Sequence, residues 1–433
     1  NIRYDGSSRF ASQYRWGTFP SFSAGWVVSE EKFMKNANID WLSFLKLRTS
    51  WGMLGNERIG DNYFPYMALM TFNNALFYKD GAVVSEKTAA QRNLAVEDIT
   101  WETTTSTDIG VDLGFLNNRL RVTADYYWKK TKDMLLSIEI PYSMGYANPK
   151  NNAGKMSTTG FDLEISWNDR INDFSYGISA NLSDFKSKID YLRNSDIISD
   201  GKVKRAGVLF NEWYGYVCEG IYQTQEEVDN SATLNNQITV GDLKYKDISG
   251  PDGVPDGKIS ADYDRVPLGN SLPRFQYGGN IHAGYKGIDL SVAFQGIGKQ
   301  NAYLTKEMVQ PLRDNYGNIP SIVDGNYWSP FNTAEENAKA KYPRLSQVNR
   351  DSNYATSSFW LFNGAYFRLK NVTLGYTLPS VWTQKAGIKK VRLYVSASDL
   401  FCISNYPEGW DPEMGVSSYP ITTSLLFGLS VNF

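Results

Sequence analysis

The sequence has no long apolar segment, few cysteines and histidines, and no excess of positive charge. No stretch of its 433 residues approaches the roughly 18 apolar residues that a membrane-spanning helix requires, so membrane insertion as helices is excluded. A net charge of −2 without a basic stripe leaves nucleic-acid binding no electrostatic basis. The cysteines, Cys218 and Cys402, and the single histidine, His282, do not have metal-ligand spacing.

Catalytic motifs are missing as well. No serine lies in a nucleophile-elbow motif, and no cysteine has a histidine at hand. Asp162 and Glu164 share one strand face, but a charged wall explains them more simply than a glycosidase pair does. We therefore expect no catalytic residue and no enzyme activity. Cys218 and Cys402 are expected to be isolated thiols; a disulfide between them stays open, because spacing alone establishes no geometry. His282 lies within a strand and is expected to be neutral.

The last ten residues, 424–433, alternate between apolar and polar side chains. Leu425, Phe427, Leu429, Val431 and Phe433 point one way, and the intervening residues are polar apart from Leu426. A strand of this kind, ending on an aromatic residue, is typical of an outer-membrane β-barrel, in which lipid contacts one face and a polar lumen the other. The last strand of a soluble sandwich has the same period of two, so the number of repeats decides between these folds.

The same alternation recurs along the chain, with charges of both signs on the polar faces. A sandwich interior would not accept such charges, whereas a wet lumen would. The sequence predicts an all-β fold, a transmembrane antiparallel β-barrel with long extracellular loops. Its twelve strands are expected at 1–5, 19–28, 43–54, 100–115, 118–132, 157–168, 174–187, 273–284, 287–299, 362–378, 389–400 and 424–433.

Short turns and long connections alternate between these strands. The short turns at 116–119, 168–173 and 286–287 all fall at one end if the last strand runs towards the periplasm. Successive strands must alternate in direction for all the short turns to lie on one side. This alternation holds only if 189–272 lies wholly outside the membrane as one extracellular excursion, despite the strand-like residues at 203–222. In strand 362–378 the apolar set moves from odd to even positions, which predicts a β-bulge near Lys370 and Asn371.

Several segments resemble the SusC/RagA-type TonB-dependent transporters of Bacteroidetes outer membranes. They span nearly the whole chain, in the expected order: 4–10 (YDGSSRF), 17–26 (GTFPSFSAGW), 45–56 (LKLRTSWGMLGN), 220–227 (GIYQTQEE), 366–379 (YFRLKNVTLGYTLP) and 397–401 (ASDLF). The resemblance implies that residues 1–433 are the C-terminal portion of a 22-stranded barrel. The plug, the TonB-contacting segment and ten strands are then expected upstream of Asn1, which reads as the tail of a strand already under way.

The resemblance also implies a function and partners in the cell outer membrane. The family imports large nutrients, glycans or oligopeptides, with energy transmitted by the TonB complex, and a SusD-like lipoprotein caps the barrel from outside. Two alternatives remain: a surface glycan-binding or adhesive barrel without transport, and a passive porin. Membrane lipid is the expected neighbour of the apolar faces, and no nucleic-acid partner is expected.

An acidic stretch at 247–264 is the candidate metal site. Calcium prefers six to eight oxygen ligands on a flexible loop with glycine at the sharp turn. The candidate ligands are Asp247, Asp252, Asp256, Asp262 and Asp264. Members of the family that this chain resembles often have more closely spaced acidic residues at this position. This chain instead inserts a Gly-Pro-Asp-Gly-Val-Pro segment, which puts the ligand set in doubt. The alternative is a solvated acidic turn without metal.

Aromatic residues in the long connections are the candidate contacts for substrate or for a lid protein. Aromatic faces stack on sugar rings or peptide side chains, and exposed apolar area marks interaction surfaces. The long outer loops at 301–358 and 402–423 are expected to form the lid dock together with part of the substrate site. The candidate contacts are Trp213, Tyr327, Trp328, Phe331, Tyr406 and Trp410. The alternative for each is packing of the loops against one another.

Overall fold

The architecture of the chain is known from a computed structural model, which describes residues 1–37, 39–60, 63–193, 196–313, 317–348, 350–414 and 418–433 (the side chains of Arg350 and Ala386 excepted). Its main feature is one twelve-stranded antiparallel sheet. In order across the sheet its strands are β1 (Ile2–Gly6), β2 (Trp16–Val27), β3 (Leu42–Asn56), β6 (Glu102–Phe115), β7 (Leu120–Ser137), β8 (Lys150–Ile171), β9 (Phe174–Leu192), β16 (Arg274–Tyr285), β17 (Ile288–Lys299), β20 (Tyr366–Thr377), β21 (Lys390–Ser404) and β22 (Ser424–Asn432).

These twelve strands confirm the twelve that alternation predicts, in the same chain order. Pairing keeps the apolar side chains of neighbouring strands on one face. Leu393 pairs with Leu429, and Val395 pairs with Phe427. Because side chains alternate along every strand, the opposite face collects the polar residues. The predicted bulge is confirmed too, since the pairing of β20 with β21 shifts between Leu369 and Asn371.

Tight turns connect the strands at one rim of the sheet, which we call the short-turn rim. Leu116, Asn117 and Asn118 have φ of 52°, 58° and 62°, and this left-handed backbone reverses the chain within the turn at 116–119. The turn predicted at 168–173 is shorter than expected, because β8 continues to Ile171. Asn168, Asp169 and Arg170 at its end are all polar, so both faces of the strand end in polar residues there and the segment resembles a turn in sequence.

The remaining strands and helices lie in the long connections. The strands are β4 (Met70–Lys79), β5 (Ala82–Gln91), β10 (Ile197–Ser199), β11 (Lys202–Lys204), β12 (Glu212–Tyr216), β13 (Cys218–Ile221), β14 (Leu243–Tyr245), β15 (Arg265–Asn270), β18 (Asn301–Tyr303) and β19 (Leu361–Asn363). The α-helices are α1 (Lys32–Asn36), α2 (Gln225–Asp229), α3 (Lys306–Val309), α4 (Ala334–Ala338), α5 (Arg350–Asn353) and α6 (Ser380–Thr383). Short 3₁₀ turns occupy Val28–Glu30, Tyr142–Met144, Ser358–Trp360 and Gln384–Ala386. No helix of the described residues is long and apolar enough to cross a membrane.

The hairpin of β4 and β5 is a feature that the sequence analysis missed. Its two-residue turn, Asp80-Gly81, has φ of 53° and 82°, the left-handed geometry of tight hairpins. The hairpin does not join the twelve-stranded sheet. One of its faces exposes Met70, Phe72 and Leu76 to solvent.

The main buried core lies in the loops, because the sheet exposes its apolar face. The described residues of 193–273 and 300–365, the connections that follow β9 and β17, pack together into one unit that we call the loop body. Its core consists of Tyr216, Leu243, Tyr245, Ile259, Met308, Val309, Val323, Tyr342, Tyr354 and Trp360. Burying each large apolar side chain contributes about 1.5–3 kcal/mol, so this core is large enough to hold the two loops together. The strand-like residues at 203–222 belong to this unit and not to the twelve-stranded sheet.

Candidate functional site

The polar face of the sheet carries a charged network. On β3, Arg48 donates hydrogen bonds of 2.9 and 3.0 Å to Asp112 on β6. It donates another of 2.9 Å to Asp125 on β7. Strand pairing brings these residues together, because Lys46 opposes Asp112 and Arg48 opposes Gly110, which pairs with Asp125. The charges of Arg48, Asp112 and Asp125 are thus satisfied by cross-strand partners.

A cavity of about 740 Å³ opens on this face between β7 and β20. The polar side chains around it include Thr123, Asp125, Asp162, Glu164, Asn181, Ser183, Gln276, Asn280, Gln295 and Lys370. No described cation lies within ion-pair distance of Asp162 or Glu164. Their carboxylates are therefore available to accept hydrogen bonds from hydroxyl, amide or amine groups of a ligand. This places the acid pair in a charged lumen wall, as its sequence context suggested.

A buried charge cluster holds the last long loop, which follows β21, against this wall. Arg368 of β20 is 3% exposed and lies 2.6 Å from both Asp411 and Glu413 of that loop. Lys370 adds a 2.6 Å ion pair to Asp399. The sequence analysis missed this cluster. The only available signal was an arginine at a polar-face position of β20 and two acids close together in an aromatic loop.

Trp410 connects the same loop to the loop body. It is partly buried against the core of that unit, one residue before Asp411. Tyr406 packs edge-on against Phe362, with their ring centroids 4.9 Å apart. The described part of the loop at 402–423 thus contacts the barrel wall on one side and the loop body on the other; residues 415–417 lie outside the described residues.

The aromatic candidates of the loop body differ in exposure. Trp213 stacks on Tyr303 at 4.8 Å, and its indole N–H donates a 2.6 Å hydrogen bond to the main-chain oxygen of Asn301. Trp328 is 9% exposed, with Gly241 directly beneath its ring. Tyr327 is partly buried against the core. Phe331, in contrast, is 95% exposed. The structure therefore places Trp213, Tyr327 and Trp328 in loop packing and leaves Phe331 available to a partner; a role of any of them in binding stays a prediction.

The acidic stretch at 247–264 is organised by hydrogen bonds to the main chain. Asp264 is fully buried, and its carboxylate accepts bonds of 2.8, 3.2 and 2.6 Å from the N–H groups of Ile248, Ser249 and Ser260. Asp247 accepts a 2.7 Å bond from the N–H of Gly257. Carboxylates engaged in this way serve as turn-forming groups.

These acids do not converge on one point. Asp252 and Asp262 are exposed, and Asp256 bonds to the N–H of Lys258. Within the described part of the chain, no group of three or more histidine, cysteine, aspartate or glutamate side chains is arranged to hold a metal ion. The donor set as it stands does not fit calcium, so a calcium site stays an untested prediction.

Comparison with known proteins places this geometry in a family. The model of the TonB dependent receptor-like β-barrel family matches residues 1–400. The chain belongs to the TonB-dependent receptor β-barrel family. It is 29% identical, over its whole length, to TonB-dependent receptor P3 of Formosa agariphila, and covers 43% of that protein. It is 30% identical to TonB-dependent receptor SusC of Bacteroides thetaiotaomicron, again over its whole length, and covers 42% of it.

A solved structure of the RagAB peptide transporter gives the same result in three dimensions. It superposes with a TM-score of 0.79 at 25% sequence identity, over all of this chain and 45% of the solved one. The chain therefore spans less than half the length of the relatives it matches. The SusC/RagA-type resemblance is confirmed, and the TonB-dependent receptor β-barrel described here lies in an outer membrane. The named relatives are receptors and transporters, not enzymes, in agreement with the expectation for this chain.

The two cysteines of this chain, Cys218 and Cys402, are free thiols, as expected. Cys218 begins β13 in the loop body, where its N–H donates a 2.9 Å hydrogen bond to Ser358 Oγ. Burial disfavours the charged thiolate and raises the pKa of Cys218 to about 11. Cys402 lies in β21, next to Arg368 of β20.

Proposed function

We propose that this chain is part of an outer-membrane barrel that actively imports a large nutrient, a glycan or an oligopeptide, with energy supplied through TonB. The observation that carries the proposal is the combination of a polar, acid-bearing cavity on the polar face of the sheet with a packed loop body at the opposite end from the short-turn rim. Similarity over the whole of this chain to parts of SusC and of the RagAB peptide transporter supports the same function. The short-turn rim then faces the periplasm and the loop body faces outside.

We further propose that a SusD-like surface lipoprotein covers the loop body. A 95% exposed phenylalanine, Phe331, on an otherwise packed unit supports a partner there, because exposed aromatic residues tend to anchor interfaces. Asp162 and Glu164 on the wall suit a ligand rich in hydroxyl, amide or amine donors, which both substrate classes provide.

Uptake of fluorescently labelled oligosaccharides and oligopeptides by cells that carry the receptor tests this proposal. We expect uptake to disappear on deletion of tonB and on addition of a protonophore. A passive porin would continue to admit the ligand after both treatments, and a surface adhesin would bind it without internalising it. Asp162→Asn with Glu164→Gln should lower uptake at unchanged surface level. The matched control, Glu226→Gln with Glu335→Gln, removes two exposed loop acids and should leave uptake unchanged.

A further inference from the structure

The outer, apolar face of the sheet contains a groove of about 650 Å³ near the short-turn rim. It crosses β17, β20, β21 and β22, and its apolar walls are Ile288, Leu374, Tyr376, Leu393, Val395, Phe427 and Leu429. Strand pairing places these side chains in two adjacent rows. A depression lined in this way on a lipid-facing surface has the shape and polarity to hold acyl chains.

Two turns at the short-turn rim border this groove with positive charge. Lys286 forms the turn that leads into Ile288, and its ammonium lies 5.3 Å from the ring centroid of Tyr285. Lys385, Lys389 and Lys390 belong to or border the turn between β20 and β21. All four lysines are exposed, and neither turn contains an acidic residue. Asp289, the nearest acid in sequence, is held by Arg392 through hydrogen bonds of 2.9 and 2.5 Å.

Other turns at the same rim do not share this charge. The turn between β2 and β3 contains three acids, Glu30, Glu31 and Asp40, against two lysines, Lys32 and Lys35, and Lys35 is paired with Glu30 at 2.7 Å. The turn between β8 and β9 ends on Asp173, and Arg119 of the turn between β6 and β7 is paired with Asp169 at 3.3 Å. The part of the rim that adjoins the groove therefore differs in carrying four exposed lysines whose own turns contain no acidic residue.

We propose that this part of the rim binds an anionic phospholipid, with its acyl chains in the groove and its phosphate at the lysines. Lys390 and Lys389 precede Leu393 by three and four residues, which separates them from the groove by about 10–13 Å along the strand. That offset matches the distance between a headgroup phosphate and the upper part of its acyl chains. Basic residues beside an apolar membrane surface attract anionic headgroups, and long lysine side chains reach the interface readily.

Exposed apolar residues in the same turn strengthen the assignment to the membrane interface. Val381 and Trp382 of α6 are exposed to the surroundings. Tryptophan is enriched at the level of lipid headgroups, where its apolar ring and its N–H group are both satisfied. This inference depends on membership in the barrel family and not on the proposed import function, so the two can fail separately.

Native mass spectrometry of the purified receptor tests the proposal. The receptor is delipidated in detergent, incubated with equal amounts of dioleoyl phosphatidylglycerol and dioleoyl phosphatidylethanolamine, and the retained lipid is identified. We expect the wild type to retain phosphatidylglycerol selectively. In the variant Lys385→Ala with Lys389→Ala, phosphatidylglycerol retention should fall about fivefold for each lysine removed. The control variant, Lys79→Ala with Lys87→Ala, removes two exposed lysines from the hairpin of β4 and β5 and should retain the lipid as the wild type does.

Equal retention of both lipids by the wild type would overturn the proposal, as would an equal loss of phosphatidylglycerol in the control variant. A lipid-free dimer that is lost in the lysine variant would assign the groove to a second copy of the receptor. That result would also overturn the phospholipid proposal. If the lysine variant does not assemble, salt titration of the wild type decides. Phosphatidylglycerol retention should fall as salt is raised while phosphatidylethanolamine retention stays constant, and salt-independent retention of both would contradict the proposal.

Discussion

The carboxylate of Asp242 lies 2.6 Å from the guanidinium of Arg344, 102 residues further along the chain. Asp242 is fully buried, and it also accepts a 2.9 Å hydrogen bond from the side-chain amide of Asn353. Asn353 in turn accepts a 2.9 Å bond from the main-chain N–H of Leu243. The two halves of the loop body are thus joined by a buried polar network as well as by an apolar core.

Asp242→Asn should destabilise the loop body without preventing barrel assembly. Breaking a fully buried ion pair costs about 3–5 kcal/mol, and the cost here should lie below that range because the side chain of Arg344 is 23% exposed. We expect faster proteolysis of the loops on intact cells at unchanged surface level. Glu335→Gln is the matched control, because it breaks an exposed pair with Lys339 and should have little effect. Equal protease resistance of the Asp242 variant and the wild type would refute a structural role for the network.

Phe427→Arg should impair assembly of the barrel. Phe427 lies near the middle of β22 and is 78% exposed on the apolar face. An arginine facing the bilayer midplane costs about 2–4 kcal/mol. Ser430→Arg, on the opposite face of the same strand, should assemble normally. Heat-modifiable mobility in gel electrophoresis measures folded barrel in both variants, and normal folding of the Phe427 variant would show that this face does not meet lipid.

Insertion of an epitope tag at Gly207 should leave it accessible to antibody on intact cells. Gly207 is exposed in the loop body, with no atom within 4 Å of the position that a Cβ would occupy, so the site is open to antibody. The same tag at Asn117, in a turn of the short-turn rim, should react only after the outer membrane is permeabilised. If the tag at Asn117 reacted on intact cells and the tag at Gly207 reacted only after permeabilisation, the proposed orientation would be wrong. The prediction that 189–272 lies outside the membrane would be wrong as well.

Trp328→Ala and Phe331→Ala should have opposite effects. Trp328 is packed, so its truncation should cost about 3–5 kcal/mol and expose the loop body to protease. Phe331 is exposed, so its truncation should leave stability within about 0.5 kcal/mol and should weaken recovery of the lid lipoprotein. Co-purification and limited proteolysis measure the two effects. Undiminished lid recovery with the Phe331 variant would remove this residue from the proposed interface.

Cys218 should react slowly with iodoacetamide at pH 8. Burial raises the pKa of this thiol to about 11, so its thiolate fraction is about a hundredfold lower than that of an ordinary cysteine. The thiolate forms as pH rises, so the rate should continue to increase above pH 9, where an exposed thiol levels off. Alkylation followed by mass spectrometry in a Cys402→Ser background gives the rate. Urea-unfolded protein is the control and should react at the ordinary rate.

The sequence by itself was sufficient to predict the barrel strands. Alternation is a local property of each strand, since every second residue meets lipid and the others meet water. The apolar positions of β22 and the bulge after Leu369 could therefore be read directly. The ends of strands were harder to predict where consecutive residues on both faces are polar, as at 168–170. Polar strand residues and turn residues then have the same composition.

Only the tertiary structure decided what the loops do. Trp328 and Phe331 are neighbours in one aromatic segment, yet one is packed on Gly241 and the other is exposed. The partners of Arg368 and Asp242 lie tens of residues or more away along the chain. Loop residues have no repeating environment, so their neighbours are set by how distant segments pack. The sequence therefore determined which residues face the membrane, and the fold determined which loop residues bury, pair or remain available to a partner.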